Sequence, residues 1–179
     1  LSCSPSNAAI ITFTDVEVTT DALLGEHNRG FRALSATLDA GNAHLAAELL
    51  GIAQESFDRT LQYMKERKQF GVLIGSFQAL QHRTAHWWSE IEMCKSVVLK
   101  VLQSLDEGDV KSPALASIAK AKLCEVAELS TNEAIQLHGG IGMTDEYEIG
   151  FFIKRARPAQ MLFGDYNYHA NRFALISGY

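Results

Sequence analysis

Prolines are nearly absent from the interior of this sequence, and this constrains the fold more than any other feature. Only Pro5, Pro113 and Pro158 occur among the 179 residues. Proline breaks helices because it lacks a backbone donor and clashes with the preceding turn. The long proline-free stretch between the first two therefore favours long, uninterrupted helices.

Apolar residues at helical spacing predict where those helices lie. The predicted helices cover, in order, 29–67, 77–108, 112–137, 147–157 and 166–176. The first would be roughly 58 Å long at the rise of an α-helix, so it needs a partner surface along its length. Its apolar stripe begins at Leu34 and Leu38. Because the connections after the first two helices are short, we predict an all-α fold, an up-down-up-down four-helix bundle with extra short C-terminal helices.

The beginning of the sequence has a different character. Residues 8–18, AAIITFTDVEV, are rich in β-branched residues and predict a single strand. A lone strand is not stable, so we expect it to be the remnant of a β domain that lies upstream and is absent from this sequence. Because the chain opens on Leu1 without a secretory signal, we expect it to be a processed or truncated piece.

Charge and cysteine content narrow the classes of partner. The net charge is −5, from 16 Lys+Arg against 21 Asp+Glu, which lacks the basic surplus that phosphate neutralisation requires. Apolar runs are far shorter than the about 20 residues that span a bilayer, so we expect neither nucleic acid nor a membrane as partner. Cys3, Cys94 and Cys124 form no CxxC pair, which favours a reducing compartment. We expect a cytoplasmic protein, or one of the mitochondrial matrix in a eukaryote.

Histidines and tryptophans raise further hypotheses. The six histidines are His27, His44, His82, His86, His138 and His169. His82 and His86 are four residues apart, which suits zinc, but no glutamate follows His82 as in an HExxH motif. We expect no metal site. His138 ends the third predicted helix, where a positive charge suits the helix dipole. Trp87 and Trp88 should divide between the core and the rim, because adjacent helix residues face apart.

Three segments, taken in order, resemble one family. The segments are TFTDVEV at 12–18 with LGE at 24–26, ERKQFG at 66–71 with FQALQ at 77–81, and AIQLHGGIG at 134–142 with EY at 146–147 and KRAR at 154–157. In this order they resemble the flavin-dependent acyl-CoA dehydrogenases, in their C-terminal helical domain. The resemblance implies that residues 1–27 are the tail of the middle β domain with its linker, and that residues 28–179 are the C-terminal helical bundle domain.

The same resemblance implies that FAD is the cofactor and lies between two subunits. It assigns FAD contacts to Arg67, Gln69, Phe70, Gln78, Gln136, Gly139 and Gly140. Arg67 would meet the pyrophosphate of a neighbouring subunit's FAD, since a guanidinium is a permanent, bidentate donor for phosphate oxygens. Gly139 and Gly140 follow a helix rather than a strand, so they are not a Rossmann fingerprint. We expect a homo- or hetero-oligomer, a dimer or tetramer formed through the helical bundle.

The implied reaction is α,β-dehydrogenation of an acyl-CoA thioester, in which a carboxylate takes the α proton and the β hydride passes to the flavin. In most members the carboxylate is a glutamate in a Glu-Gly-Thr tripeptide, which here corresponds to Phe163, Gly164 and Asp165. In other members it lies on the first long helix, at the position of Gly41, and an arginine stands where this chain has Asn42. A phenyl ring cannot abstract a proton, and glycine has no side chain, so neither position carries the base.

Several explanations remain open at the level of sequence. The chain could be the non-catalytic subunit of a heteromeric dehydrogenase whose partner carries the glutamate. Asp165 or Asp39 could serve as a displaced base, although Asp165 also fits an N-cap and Asp39 an ordinary solvated helix position. The sequence is also compatible with an altered reaction, with a flavin monooxygenase on the same fold and with a non-catalytic helical interaction module.

Overall fold

A computed structural model describes residues 9–179; Cys3, Pro5 and the first residue of the predicted strand lie outside them. The helices are α1 (Gly30–Glu66), α2 (Gln78–Asp106), α3 (Ser112–His138), α4 (Ile149–Met161) and α5 (Tyr166–Ile176), and a two-stranded hairpin of β1 (Lys68–Gln69) and β2 (Val72–Leu73) lies between α1 and α2. Short 3-10 turns cover Thr20–Ala22, Ile74–Ser76 and Gly139–Met143. The predicted all-α fold is confirmed.

Helices that follow one another in the chain, from α1 to α4, run antiparallel. Between α1 and α2, the Thr84 hydroxyl lies 3.5 Å from the Met64 sulfur, and the Trp87 ring centroid lies 5.0 Å from that of Phe57. Along this interface the residue numbers therefore decrease in α1 as they increase in α2. The same inverse order holds for the α2–α3 pairs Arg83–Glu133 and Glu90–Lys122, and for the α3–α4 pairs Lys120–Gln160 and Glu128–Arg157. The predicted up-down-up-down arrangement of α1 to α4 is confirmed.

The core is the surface that these helices share. From Leu45 onward the predicted stripe of α1 is buried, but Leu34 is 54% exposed. No other described helix covers the first turns of α1. Trp87 is fully buried and Trp88 is 43% exposed, as the division between core and rim predicts. Full burial of a Leu, Ile or Phe side chain, such as those packed around Trp87, stabilises a fold by about 1.5–3 kcal/mol.

The structure differs from the prediction at one strand and at the end of one helix. Residues 9–18 form no strand, because no neighbouring strand among the described residues is available to pair with them. The fourth helix was predicted to end before Pro158, yet α4 continues to Met161. A proline removes only its own N–H from the helical ladder, and the Pro158 carbonyl still accepts a hydrogen bond from the Leu162 N–H at 2.9 Å.

Candidate functional site

A cleft of about 530 Å³ opens at the end of the bundle where α1 and α3 end and α2 begins. Its size lies within the range of about 300–1,000 Å³ that is typical of ligand pockets. The lining residues are Tyr63, Arg67, Gln69, Phe70, Ile74, Phe77, Leu80, Gln136, Leu137, His138, Gly139, Gly140 and Ile141. Six of the seven predicted cofactor contacts therefore meet at one place.

The hairpin between α1 and α2 holds Phe70 out from the surface. Gln69 pairs with Val72 in an antiparallel register that leaves two residues in the turn. Phe70 and Gly71 have φ values of 53° and 82°, as a tight turn of two residues requires. A bulky residue in the left-handed region is strained. The strained turn keeps the Phe70 ring 92% exposed, at the mouth of the cleft.

Arg67 gives this cleft its positive charge. It follows the last turn of α1, where its N–H donates to the Tyr63 carbonyl at 2.8 Å. With the Gln69 amide oriented so that its oxygen faces the guanidinium, that oxygen accepts from Arg67 Nη2 at 2.7 Å. Within residues 9–179 no carboxylate forms an ion pair with Arg67. Its charge is thus available to an anionic ligand, and Gln69 helps to orient it.

The glycine turn after α3 leaves backbone open on the other wall. Gly139 has φ 66°, which favours glycine, and a Cβ added at Gly139 or Gly140 would meet nothing within 4 Å. Gly142 differs, because a Cβ there would lie 2.9 Å from the Ile135 carbonyl oxygen. The first two glycines therefore allow close approach of a ligand to the backbone, whereas Gly142 allows the turn to pack on α3.

His138 forms the floor of the cleft, a role that the sequence did not reveal. Its ring stacks on Tyr63 at 4.3 Å and lies 4.8 Å from the Tyr147 ring. Burial lowers the pKa of His138, and its Nδ1 donates to the Ala134 carbonyl at 2.7 Å. A neutral, buried ring replaces the predicted positive charge at the end of the helix, because the low-polarity surroundings disfavour the imidazolium.

One predicted contact lies outside the cleft. Gln78 is exposed at the first turn of α2 and does not line the cavity. Phe77 and Leu80, its neighbours in the same segment, do line it. Their helical spacing on the apolar side of α2 is the signal that could have identified them.

Gly41 and Phe163 meet in the structure although they lie far apart in the chain. A Cβ added at Gly41 would lie 2.9 Å from Phe163 Cε2 and 3.2 Å from Cδ2. The phenyl ring therefore rests directly on the glycine of α1. The resemblance places a base at either of two positions, 41 and 163. In the fold these two positions are adjacent, and the Phe163 ring occupies the space between them.

Neither aspartate lies free at this place. Asp165 is the N-cap of α5, and its Oδ1 accepts a hydrogen bond from the Tyr168 N–H at 2.9 Å. Asp39 is only 4% exposed and its Oδ1 lies 2.7 Å from Arg172 Nη1. The interpretation of Asp39 as a solvated helix residue was wrong, because α5 brings a largely buried arginine to it.

Two buried side chains, one on α3 and one on α5, hold the backbone of the loop between α4 and α5. Lys120, on α3, is fully buried and its Nζ donates to three carbonyls, those of Gln160, Leu162 and Gly164, at 2.7–3.0 Å. His169, on α5, lies with Nε2 3.2 Å from the Phe163 carbonyl oxygen. Burial lowers the pKa of both groups, that of His169 to about 4.

A cluster of metal-ligating side chains would indicate a metal ion, and a long apolar helix would indicate a membrane. Over residues 9–179 no group of three or more histidine, cysteine, aspartate or glutamate side chains is placed to hold a metal ion. None of the helices in this range is both long and apolar enough to cross a membrane.

Fold and cleft together define a helical bundle domain that offers a ligand a cationic, aromatic and glycine-lined surface. Residues 28–175 match the acyl-CoA dehydrogenase C-terminal domain, and the chain belongs to the acyl-CoA dehydrogenase family.

The similarity extends to proteins from several bacteria. The chain is 41% identical over 154 residues to "Probable acyl-CoA dehydrogenase YngJ" of Bacillus subtilis, which covers 85% of the chain and 40% of that protein. It is 35% identical over 149 residues to the caffeyl-CoA reductase-Etf complex subunit CarC of Acetobacterium woodii, covering 83% of the chain and 38% of that protein. Butyryl-CoA dehydrogenase of Megasphaera elsdenii superposes with a TM-score of 0.88 at 32% identity, over 92% of this chain and 43% of that one. The chain thus spans about two fifths of the length of these proteins.

Proposed function

We propose that this chain is the C-terminal domain of an FAD-dependent acyl-CoA dehydrogenase and that its cleft receives part of the FAD of a neighbouring subunit. The observation that carries the proposal is the meeting of Arg67, Phe70 and the Gly139–Gly140 turn around one cavity. Family membership supports the reaction, and the family resemblance supports the cofactor.

The residues of the cleft fit the pyrophosphate and adenosine half of such a cofactor. Arg67 has no carboxylate partner among the described residues and can donate two hydrogen bonds to phosphate oxygens. The open backbone at Gly139 and Gly140 accepts close approach, and Gln136 adds amide donors and an acceptor. Bound FAD would supply the acceptor for the β hydride of the thioester. This chain's residues hold the cofactor, orient it and shield one side of it from water.

The position of the cleft favours a cofactor shared between chains. Gly41 and Tyr63 lie on the same helix, α1, and at the rise of an α-helix the Phe163–Gly41 contact and the cleft are roughly 33 Å apart along it. One chain therefore presents two surfaces that belong to different ligand sites. Oligomerisation through the bundle would place the cleft of one chain at the flavin of the next, and Trp88 and Leu99 are apolar side chains left exposed on α2.

We further propose that a partner subunit supplies the catalytic base. Phe163 and Gly41 carry no carboxylate, and Asp165 is engaged as an N-cap. The name of the Acetobacterium woodii relative describes that protein as a subunit of a complex, which supports a hetero-oligomer. A displaced base at Asp165, a monooxygenase and a non-catalytic interaction module are the competing functions, and the Arg67 cleft argues against the last.

The remaining parts of the proposal concern the whole protein. Acyl-CoA is the proposed substrate, residues 1–27 the proposed end of a middle β domain, and 28–179 the helical domain. The proposed location is the cytoplasm, or the mitochondrial matrix in a eukaryote. The buried free thiols of Cys94 and Cys124 are compatible with a reducing compartment.

Substitution of Arg67 tests the cofactor contact. In the complete gene product, Arg67→Ala should raise the Kd for FAD roughly 10- to 100-fold and so lower the bound FAD per chain after gel filtration, since a charge-assisted phosphate contact contributes about 1.5–3 kcal/mol. Lys68→Ala is the matched control, because it removes an equal charge from the next residue, which does not line the cleft. Equal flavin content in the two variants, measured by visible absorbance, would count against the proposal.

A further inference from the structure

The loop between α4 and α5 holds Phe163 in a backbone conformation that a bulky side chain disfavours, next to a glycine that tolerates positive φ. Phe163 has φ 59°, in the left-handed region, and Gly164 has φ 109°. A bulky residue with positive φ is an outlier that persists only when its surroundings impose it. Such strain is often found at functional positions, so the contacts that impose it are informative about the site.

The surroundings impose this conformation through the loop's carbonyl groups. Lys120 Nζ uses its three donors on the carbonyls of residues 160, 162 and 164, and His169 Nε2 contacts the carbonyl between the last two. Burial of an ammonium is unfavourable unless its donors are satisfied. A fully buried lysine with three carbonyl partners therefore fixes the backbone of this loop and leaves it little freedom.

The fixed backbone directs the Phe163 ring onto α1. The ring lies against Gly41, where an added Cβ would approach Cε2 to 2.9 Å. The other side of the ring remains open, since Phe163 is 45% exposed. Gly41 thus acts as the seat for the ring, and a larger residue there would overlap the ring unless the ring shifted.

We propose that Phe163, seated on Gly41 and held by Lys120 and His169, is an aromatic plug that occupies the place of the catalytic carboxylate and presents an apolar face to the acyl group. This inference rests on the proposed function and deepens it. The plug prevents proton abstraction at this position. Phe163 determines the specificity of this site and takes no part in proton transfer.

If Phe163 is a plug, the effect of a glutamate at position 41 should depend on the residue at position 163. The mere absence of a base would not produce this dependence. Phe163→Glu should introduce a carboxylate, whereas Gly41→Glu should fail because the ring occupies its space. Gly41→Glu combined with Phe163→Ala should succeed, because the seat is then empty. Both routes place a carboxylate at the same point in space.

The experiment measures anaerobic flavin reduction by saturated straight- and branched-chain acyl-CoA thioesters, in the complete gene product with and without any co-eluting partner. Rates are expressed per bound flavin, so that loss of folded protein does not imitate loss of activity. Assayed without the partner, Phe163→Glu and Gly41→Glu/Phe163→Ala should each gain roughly 10²-fold over wild type, the lower end of what a general base contributes. Gly41→Glu alone should gain nothing, and Phe163→Leu controls for loss of the ring.

The outcomes separate this inference from the proposed function. Equal gains for Gly41→Glu with and without Phe163→Ala would overturn the plug, as would the absence of any gain in flavin-replete Phe163→Glu. Wild-type protein that is reduced without a partner as fast as Phe163→Glu would also overturn it. Lack of bound flavin in every variant, wild type included, would instead overturn the proposed function itself.

Discussion

At the scale of single residues, two glycines of α1 should respond in opposite ways to the same substitution. Alanine in place of glycine within a helix usually stabilises a protein by up to about 1 kcal/mol. A Cβ at Gly51 meets nothing within 4 Å, whereas one at Gly41 lies 2.9 Å from Phe163 Cε2. Gly51→Ala should therefore raise the free energy of unfolding, and Gly41→Ala should lower it by about 1–3 kcal/mol through overpacking.

The ring of Phe163 provides the internal control for this pair. In a Phe163→Ala background, Gly41→Ala should become neutral or stabilising, because the opposing ring atoms are gone. The melting temperatures of the two single variants and the double variant, measured by thermal unfolding of the complete gene product, give the coupling in stability between positions 41 and 163. Additive changes would show that the ring does not rest on this glycine in solution.

At the scale of elements, the α4–α5 loop should make stability depend on pH through His169. The ring is fully buried, and burial lowers its pKa from 6.5 to about 4; Lys120 and Arg172 also lower it, while the hydrogen bond to Phe163 and the charge of Asp39 raise it. Between these values the unfolded chain binds more protons than the folded one. The contribution of neutral His169 to the free energy of unfolding is therefore fully present above about pH 6.5 and is lost as the pH falls toward 4. The total change in this free energy is on the order of 3 kcal/mol.

His169→Gln should flatten this dependence. A glutamine amide can still donate to the Phe163 carbonyl, but it does not titrate in this range. His138, whose pKa burial also lowers, contributes to the same window and should leave part of the slope in place. Melting temperatures of wild type and variant between about pH 4 and 7 check this; parallel curves would contradict a role for His169 in the pH dependence.

The elements also show what sequence reasoning reaches and where it stops. Periodicity and glycine or proline signals located α1, α2, α3 and α5 to within about two residues, because long amphipathic helices have a strong repeat. The hairpin at Phe70 and the loop at Phe163 were missed, since both put a phenylalanine at positive φ, where sequence signals expect glycine or asparagine. The anchoring of that loop by Lys120 depends on contacts 40 or more residues apart, which no local pattern encodes.

The candidate site divides in the same way. Arg67, Gln69, Phe70 and the two glycines were found from short segments that stay contiguous in the fold. The stacked ring of His138 was not, because its contacts come from Tyr63 on α1 and from Tyr147 beyond the glycine turn. Likewise, only the folded chain brings Gly41 and Phe163 together.

At the scale of the whole molecule, the roughly 33 Å that separates the Arg67 cleft from the Phe163 plug predicts an effect across subunits. If the cleft of this chain holds the flavin at a partner's active site, Arg67→Ala here should abolish reduction at a site whose glutamate lies on the partner. We expect bound flavin to bleach with acyl-CoA only when a glutamate-bearing second subunit is present, and Arg67→Ala to remove that bleaching while Lys68→Ala preserves it. The measurement is anaerobic visible spectroscopy of the purified complex and of this chain's gene product alone. Bleaching of the pure homomer would instead assign the base to this chain, with Asp165 as the residue to substitute next.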